Sequence, residues 1–501
     1  MRYVMSNRRA GKFSESQKAA SQAAVSGVMN LMSVGMSVVS DSQPEDELDR
    51  RIVVFDADPA EIQAKAATVP PDVLIEPEIL HWPAGRIPFR LFQSGPSAGT
   101  PYETGVGNSL TITVKIGDHP AANATVHLAF RGVGGLATNA KSRTNAQGQA
   151  TFQHSNFWTP ASAVAAPDGD FWTMVALGPT NGLVITCPAL PKDGPLGWWH
   201  HALGIQQHKV TRGKSIKVGV IDTGCGPHPS LAHVTLVGAF INGAILPAAD
   251  AADVDSHGSH VCGTIGARPA QNGEYAGVSP GVSLFAARVF PDADSGANQG
   301  DIAAAIDTLS KTHAADLINL SLGASQGSQI ELDAIQDALE RGTLCICAAG
   351  NSNGAVEYPA KFEQCVAVAA IGQLGWGPPN SLAALRVPTG QSQRFGIENL
   401  FHASFSCFGE GLDISAPGVG LLATVTERGG LQAPFGVMDG TSMASPAACG
   451  ALAALLAGST AYKALPRDAT RAVQARKILQ DNLRFIGMTA LYQGGGMPFV
   501  S

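Results

Sequence analysis

Three short glycine-bearing segments constrain this chain more than anything else in it. They are Val220-Ile221-Asp222-Thr223-Gly224, Ser256-His257-Gly258-Ser259-His260-Val261-Cys262-Gly263 and Gly440-Thr441-Ser442-Met443-Ala444-Ser445-Pro446. They supply an Asp, a His and a Ser in that order, within about 220 residues. A serine hydroxyl is a weak nucleophile near neutral pH and needs an imidazole to take its proton. The imidazole in turn needs a buried carboxylate to fix its tautomer and stabilise the imidazolium. Asp222 closes an apolar run (Ile216, Val218, Val220, Ile221) that reads as a strand, while His257 and Ser442 sit where helices begin. A fold that uses all three must bring one strand end and two helix starts to one place.

Each residue also has a plainer reading. Asp222 alone is a turn former or a helix cap, and Ser442, ahead of an Ala/Leu-rich stretch to Leu456, is an ordinary N-cap serine. His257 and His260 are three apart, but no further His or acidic ligand stands at zinc-motif spacing. What the plainer readings do not explain is the occurrence of all three strings in one order.

The three segments resemble, residue for residue around each position, the signatures of the subtilisin-like serine peptidases, the subtilases. The resemblance implies a doubly wound, mostly parallel α/β sheet and a serine endopeptidase acting on polypeptides through an acyl-enzyme intermediate. It makes Asp222, His257 and Ser442 the triad and leaves His260 structural. Thr343-Leu344-Cys345-Ile346-Cys347-Ala348-Ala349-Gly350-Asn351 reads as a buried strand ending in a turn and looks like the family's oxyanion segment. On that likeness the Asn351 amide and the Ser442 backbone N–H are the oxyanion donors, with Ala349 and Gly350 against the substrate. Ser321-Leu322-Gly323, after the strand Leu317-Ile318-Asn319-Leu320, resembles the edge on which a substrate pairs as an added strand. Glu357-Tyr358-Pro359-Ala360 resembles the lining of the primary specificity pocket, where the residue before Tyr-Pro is usually small. A carboxylate there predicts a preference for Lys or Arg before the scissile bond, whereas a shorter loop from Asn351 to Tyr358 turns Glu357 to solvent.

Residues 1–85 carry their own pattern. Arg2-Tyr3-Val4-Met5 reads as a strand, and Ser14-Glu15-Ser16-Gln17 is a capping box before a helix with Ala20, Ala24, Val28 and Met32 on one face. Val34, Met36 and Val38 alternate, and Ile52-Val53-Val54-Phe55 is another strand. Asp58-Pro59-Ala60-Glu61 opens a helix to about Ala67, and Val73 to Ile79 is a last strand. The order βαββαβ is ferredoxin-like. It is similar to the inhibitory pro-domain of the subtilases, which implies an autoprocessed zymogen with its own intramolecular inhibitor, cut between Trp82 and Thr100. An unrelated small α+β domain has the same element order.

Residues 86–190 read as an all-β sandwich. Leu110, Ile112, Val114 and Ile116 alternate, as do Val126, Leu128 and Phe130, with turn signals about every ten residues. Thr144-Asn145-Ala146-Gln147-Gly148-Gln149-Ala150-Thr151-Phe152 is similar to bacterial immunoglobulin-like repeats. After a Pro/Gly-rich linker, residues 198–501 form the peptidase domain. An interposed sandwich departs from the simplest subtilase plan, and so does an insertion from Gly372 to Leu400.

Composition sets the remaining bounds. Charged residues make up 15% and Gly is abundant at 57, as in a large, well-packed α/β core; net charge −7 argues against a nucleic-acid partner. No stretch approaches the roughly 18 apolar residues that span a bilayer. Eight cysteines, two of them alternating on one strand (Cys345 and Cys347), favour free thiols in a reducing compartment. Without a recognisable signal peptide, that points to the cytoplasm, the alternative being release without a cleaved signal. Subtilases often bind calcium, but Ser230 stands in Pro227-His228-Pro229-Ser230-Leu231 where the family commonly offers an Asp, so no metal ligand is assigned and no other cofactor is expected. The rival expectation is a subtilase-fold surface or binding protein whose sandwich carries the function.

Overall fold

The computed structural model describes residues 1–8, 15–32, 35–44, 49–83, 107–427 and 432–500, without the side chains of 15–21. Ser14, Val34, the side chain of Ala20 and most of the stretch expected to be cut therefore lie outside the described residues.

A nine-stranded sheet organises the peptidase part. Its order is Ala244–Leu246, Thr235–Ile241, Ser283–Arg288, Lys217–Asp222, Leu317–Leu320, Leu344–Ala348, Val366–Gln373 and Leu400–His402, with Ile414–Pro417 also paired to Val366–Gln373. Every pairing is parallel except those of Ala244–Leu246 and Leu400–His402. Strands in such a sheet are buried on both faces, which is why they read as continuous apolar runs. Successive residues serve opposite sides: Val218 and Val220 pack with Val261, Met443 and Ala447, while Ile221 and Ile318 pack with Ile302, Ile306 and Ala334. The helices His257–Gly266 and Thr441–Gly458 thus lie over one face, and Gln299–Asp307 and Gln329–Glu340 over the other. Among the described residues, Thr441–Gly458 is the one helix long and apolar enough to cross a membrane, and 78% of it is buried in this core.

The N-terminal residues form a four-stranded antiparallel sheet ordered Met36–Asp41, Ile52–Ala57, Arg2–Asn7, Val73–Pro77. One face packs Val25 and Val28 of helix Glu15–Leu31, and Met32 just after it, against Tyr3, Met5, Val53 and Phe55. The other face lies on the peptidase helices, where Val4, Ile52 and Val54 join Ile302, Ile306 and Ala334. Gly300 permits this approach, since a Cβ there would come within 2.7 Å of Ile52 and 2.9 Å of Val4. Arg50 sits buried in the seam, 2.9 Å from Asp307 and 2.8 Å from Asp337. Asp58 caps helix Pro59–Lys65 by accepting from Ala60 N, and a 3-10 turn Ala66–Thr68 completes it. The alternation of Met36 and Val38 does not mark a core face. Met36–Asp41 is an edge strand, and both Val38 and Val39 are exposed.

Residues 108–187 form two facing sheets, Gln149–His154, Asn108–Ile116 and Leu183–Cys187 in one, and Met174–Leu177, Trp158–Ala166, Thr125–Gly132 and Ala137–Arg143 in the other. Leu110, Ile112 and Val114 meet Val126, Leu128 and Phe130 in the core between them. The long insertion after Gly372 docks this unit. Trp376 meets Trp172 edge to face, Leu382 packs against Val164 and Val175, and Val175 N donates to Asn380 O.

Candidate active site

The site begins where strand Lys217–Asp222 ends. Asp222 is 1% exposed, and its Oδ1 accepts from Thr223 N at 2.7 Å and lies 2.7 Å from His257 Nδ1. The two loops touch at their glycines: a Cβ on Gly258 would fall 2.1 Å from Gly224 O, so nothing larger fits there. Burial pulls His257 toward its neutral form, but the Asp222 carboxylate beside it, with Asp255 and Asp253 further off, holds its pKa above the ordinary value. His260 differs in kind. Its Nε2 is 3.0 Å from Leu421 O, and burial pushes its pKa down to about 3, so it is a neutral core residue.

Asp253, which the motif does not single out, ties the loops together. Its Oδ1 accepts from Thr223 Oγ1, Asp255 N and Ser256 N at 2.8–2.9 Å, and its Oδ2 accepts from Ser259 N and Oγ at 2.7 and 2.6 Å. Ser256 has φ 86°, a left-handed conformation that costs a non-glycine residue about 1–3 kcal/mol, and Asp253 pins it there. Thr223 Oγ1 then accepts from Gly258 N at 2.8 Å, so Asp222 and His257 are fixed through a shared hydroxyl.

Ser442 lies at the start of helix Thr441–Gly458, fully buried. It does not cap the helix; Gly440 holds that position. Its hydroxyl donates to Ser321 O at 2.8 Å and not to His257, whose Nε2 has no hydrogen-bond partner. The structure thus joins Asp222 to His257 directly and leaves Ser442 bonded to the substrate-edge candidate. Ser321 Oγ returns a bond to Ser442 O at 2.8 Å and accepts from Asn319 Nδ2, whose Oδ1 accepts from Ser445 Oγ. Thr441 fixes the oxyanion candidate: Asn351 Oδ1 accepts from its N at 3.0 Å and its Oγ1 at 2.9 Å, while Gly350 N donates to its Oγ1 at 3.1 Å. Anchoring the carbonyl half makes the amide nitrogen the donor half of Asn351.

Leu322 and Gly323 carry an occupant. Residues Leu80–Pro83 run between Ala297–Asn298 and Leu322–Gly323 as the middle strand of three, with His81 opposite Ala297, Trp82 opposite Gly323 and Pro83 opposite Leu322. The strand expected from Val73 to Ile79 is present as Val73–Pro77 in the N-terminal sheet, and the cleft strand Leu80–Pro83 follows it where no strand was expected. Gln299 clamps the turn between them, its Oε1 accepting from Ile79 N at 2.8 Å and its Nε2 donating to Pro77 O at 2.9 Å. Ala349 and Gly350 are wall, because their carbonyls already accept from Glu357 N and Cys407 N. Glu357 is half-buried across both segments. A Cβ on Gly350, at φ 109°, would lie 2.5 Å from its Cδ, and one on Gly323 would lie 3.1 Å from its Oε2. Ser352 Oγ donates to Glu357 Oε1 at 2.7 Å.

All eight cysteines are free and buried. In the loop where calcium binding would need a carboxylate, Ser230 Oγ donates to Glu274 at 2.9 Å, and no group of three or more His, Cys, Asp or Glu side chains gathers among the described residues.

A mostly parallel sheet with a serine at the head of its core helix, an Asp–His pair beside it and a peptide strand along the cleft is the frame of a serine endopeptidase. The chain belongs to the subtilase family, whose model matches residues 213–491. It is 31% identical to Subtilisin Savinase of Lederbergia lenta over 284 residues, 56% of this chain and 88% of that protein. To Subtilisin DY of Bacillus licheniformis it is 31% identical over 250 residues, 49% of this chain and 78% of that one. The alkaline protease of Alkalihalobacillus alcalophilus is also 31% identical over 284 residues, but this chain covers only 63% of it.

Proposed function

We propose that the chain is made as a zymogen and hydrolyses polypeptides through Ser442, His257 and Asp222. The observation that carries this reading is the strand Leu80–Pro83, which fills the groove beside Ser321 and Ser442 as a substrate would. On activation Ser442 turns its hydroxyl from Ser321 O to His257 Nε2, a rotation about one side-chain bond. His257 takes the proton as Oγ attacks the scissile carbonyl, and the Asn351 amide and the Ser442 N–H receive the oxyanion. His257 then gives its proton to the leaving amine, and water releases the acyl group by the reverse steps. Residues 1–85 act as inhibitor in cis, and the residues between Trp82 and Thr100 contain the cut. The sandwich is a docked accessory of unassigned ligand, and the buried free thiols support a cytoplasmic setting. A fluorophosphonate probe tests the nucleophile. The processed wild type should take label on the peptide that contains Ser442, and Ser442→Ala should take none. Label elsewhere, or a casein-cleaving protein that takes none, would remove Ser442 from its role.

A further inference from the structure

Along Leu80–Pro83 exposure alternates. Leu80 and Trp82 are 40% and 44% exposed, while His81 and Pro83 point inward and are buried. His81 is 0% exposed and ends against Glu331, itself 0% exposed, with Nε2 3.3 Å from Oε2. Neither Glu331 oxygen has a hydrogen-bond partner, and among the described residues no Lys or Arg stands within ion-pair distance of it. Glu331 belongs to the first turn of helix Gln329–Glu340, which is part of the peptidase and not of the N-terminal unit. Its surroundings on the sheet side include the buried thiols of Cys345 and Cys347, which supply no positive charge. A fully buried carboxylate is rare without a partner, and here the partner arrives on the strand that fills the cleft. Burial works against the proton on His81, but Glu331, helped by the carbonyls of Ile79 and Ala297, holds it more firmly than in a free histidine.

We propose that Glu331 is a specificity-determining residue, and that the enzyme selects peptides with His, Lys or Arg at the position His81 occupies. The inference rests on the reading above, that residues 80–83 lie where substrates lie. When this strand leaves, the buried Glu331 loses the one ion-pair partner it has among the described residues. A cationic side chain restores the pair, whereas an apolar or neutral one leaves the carboxylate buried alone. The pocket is distinct from that of Glu357, which lies across Gly323 and Gly350. The position of Trp82, which faces solvent, supplies a control in the same peptide.

The test uses the processed full chain and quenched fluorogenic peptides copied from residues 77–86. One series replaces His81 by Lys, Arg, Gln or Leu, and a second varies Trp82. In the wild type kcat/KM for His, Lys or Arg should exceed that for Gln or Leu by at least about tenfold, with changes below about threefold in the Trp82 series. Glu331→Gln, checked for a wild-type melting curve, should bring the His81 series close to parity. Glu331→Leu should reverse it in favour of Leu and gives a second, independent reading of the pocket. Casein cleavage combined with indifference to this position, or a cationic preference that survives Glu331→Gln, would overturn the assignment. Failure to cleave casein or any peptide would instead remove the peptidase reading on which it stands.

Discussion

At the scale of single residues, activity turns on the charge state of His257. A general base must be neutral, so activity is present above its pKa and lost below it. Asp222, with Asp253 and Asp255 behind it, holds that pKa above the usual 6.5 against the opposing effect of burial. The kcat/KM of the processed enzyme should therefore fall on the acid side with a midpoint above 6.5. Asp222→Asn should lower the midpoint relative to the wild type besides costing at least about a thousandfold in rate, because burial is then opposed only by the more distant Asp253 and Asp255. A wild-type midpoint below 6.5 in the pH–rate profile would contradict this. Glu357 carries a second prediction. Its half-buried carboxylate, braced by Ser352, should favour Lys or Arg before the scissile bond by about tenfold or more, Arg through paired hydrogen bonds. Glu357→Gln should erase the preference in a peptide library. Preference that is absent, or unchanged in the variant, would return Glu357 to a structural role. The catalytic candidates were legible because their chemistry forces particular residue types into tight turns. Asp253 and Thr441 were not, because they act by accepting from groups on loops that reach them only after folding, Thr223 Oγ1 for Asp253 and Gly350 N for Thr441.

At the scale of elements, the critical piece is the strand Leu80–Pro83. No local pattern separates it from Val73–Pro77, since both are short apolar runs. Its partners, Ala297–Asn298 and Leu322–Gly323, lie more than two hundred residues away. Non-local pairing of this kind is invisible to periodicity, whereas the strands of the central sheet announce themselves as continuous apolar runs. Met36–Asp41 shows the converse. It alternates well enough to be read as a strand, yet edge position leaves Val38 and Val39 in solvent. The Gln299 clamp gives this scale its own prediction. Gln299→Ala removes two hydrogen bonds to the turn at Pro77 and Ile79 and leaves the partly buried Ile79 N–H unpaired. In the Ser442→Ala background it should raise the rate at which a second protease cuts near residues 77–83 by about tenfold. An unchanged rate would show that the strand is held by its two neighbours alone.

At the scale of the whole molecule, three units are joined by two seams of different chemistry. The N-terminal sheet meets the peptidase helices through Val4, Ile52 and Val54, with Arg50 between two carboxylates. The sandwich meets the peptidase through Trp172, Trp376 and Leu382. The second seam also accounts for the insertion from Gly372 to Leu400: the two departures from the simplest subtilase plan pack against each other. Both departures are legible in the sequence but their pairing is not, because docking faces carry no periodicity of their own. The proposal that joins these seams to function is that this peptidase holds its own N-terminal segment in its cleft and cuts itself free. Intact-mass spectrometry of freshly purified wild type and Ser442→Ala, followed over time, tests it most directly. The wild type should convert to fragments cut between Trp82 and Thr100 as casein-cleaving activity appears, while Ser442→Ala stays whole and inert. A wild-type chain that remains uncut and is nonetheless fully active would contradict it.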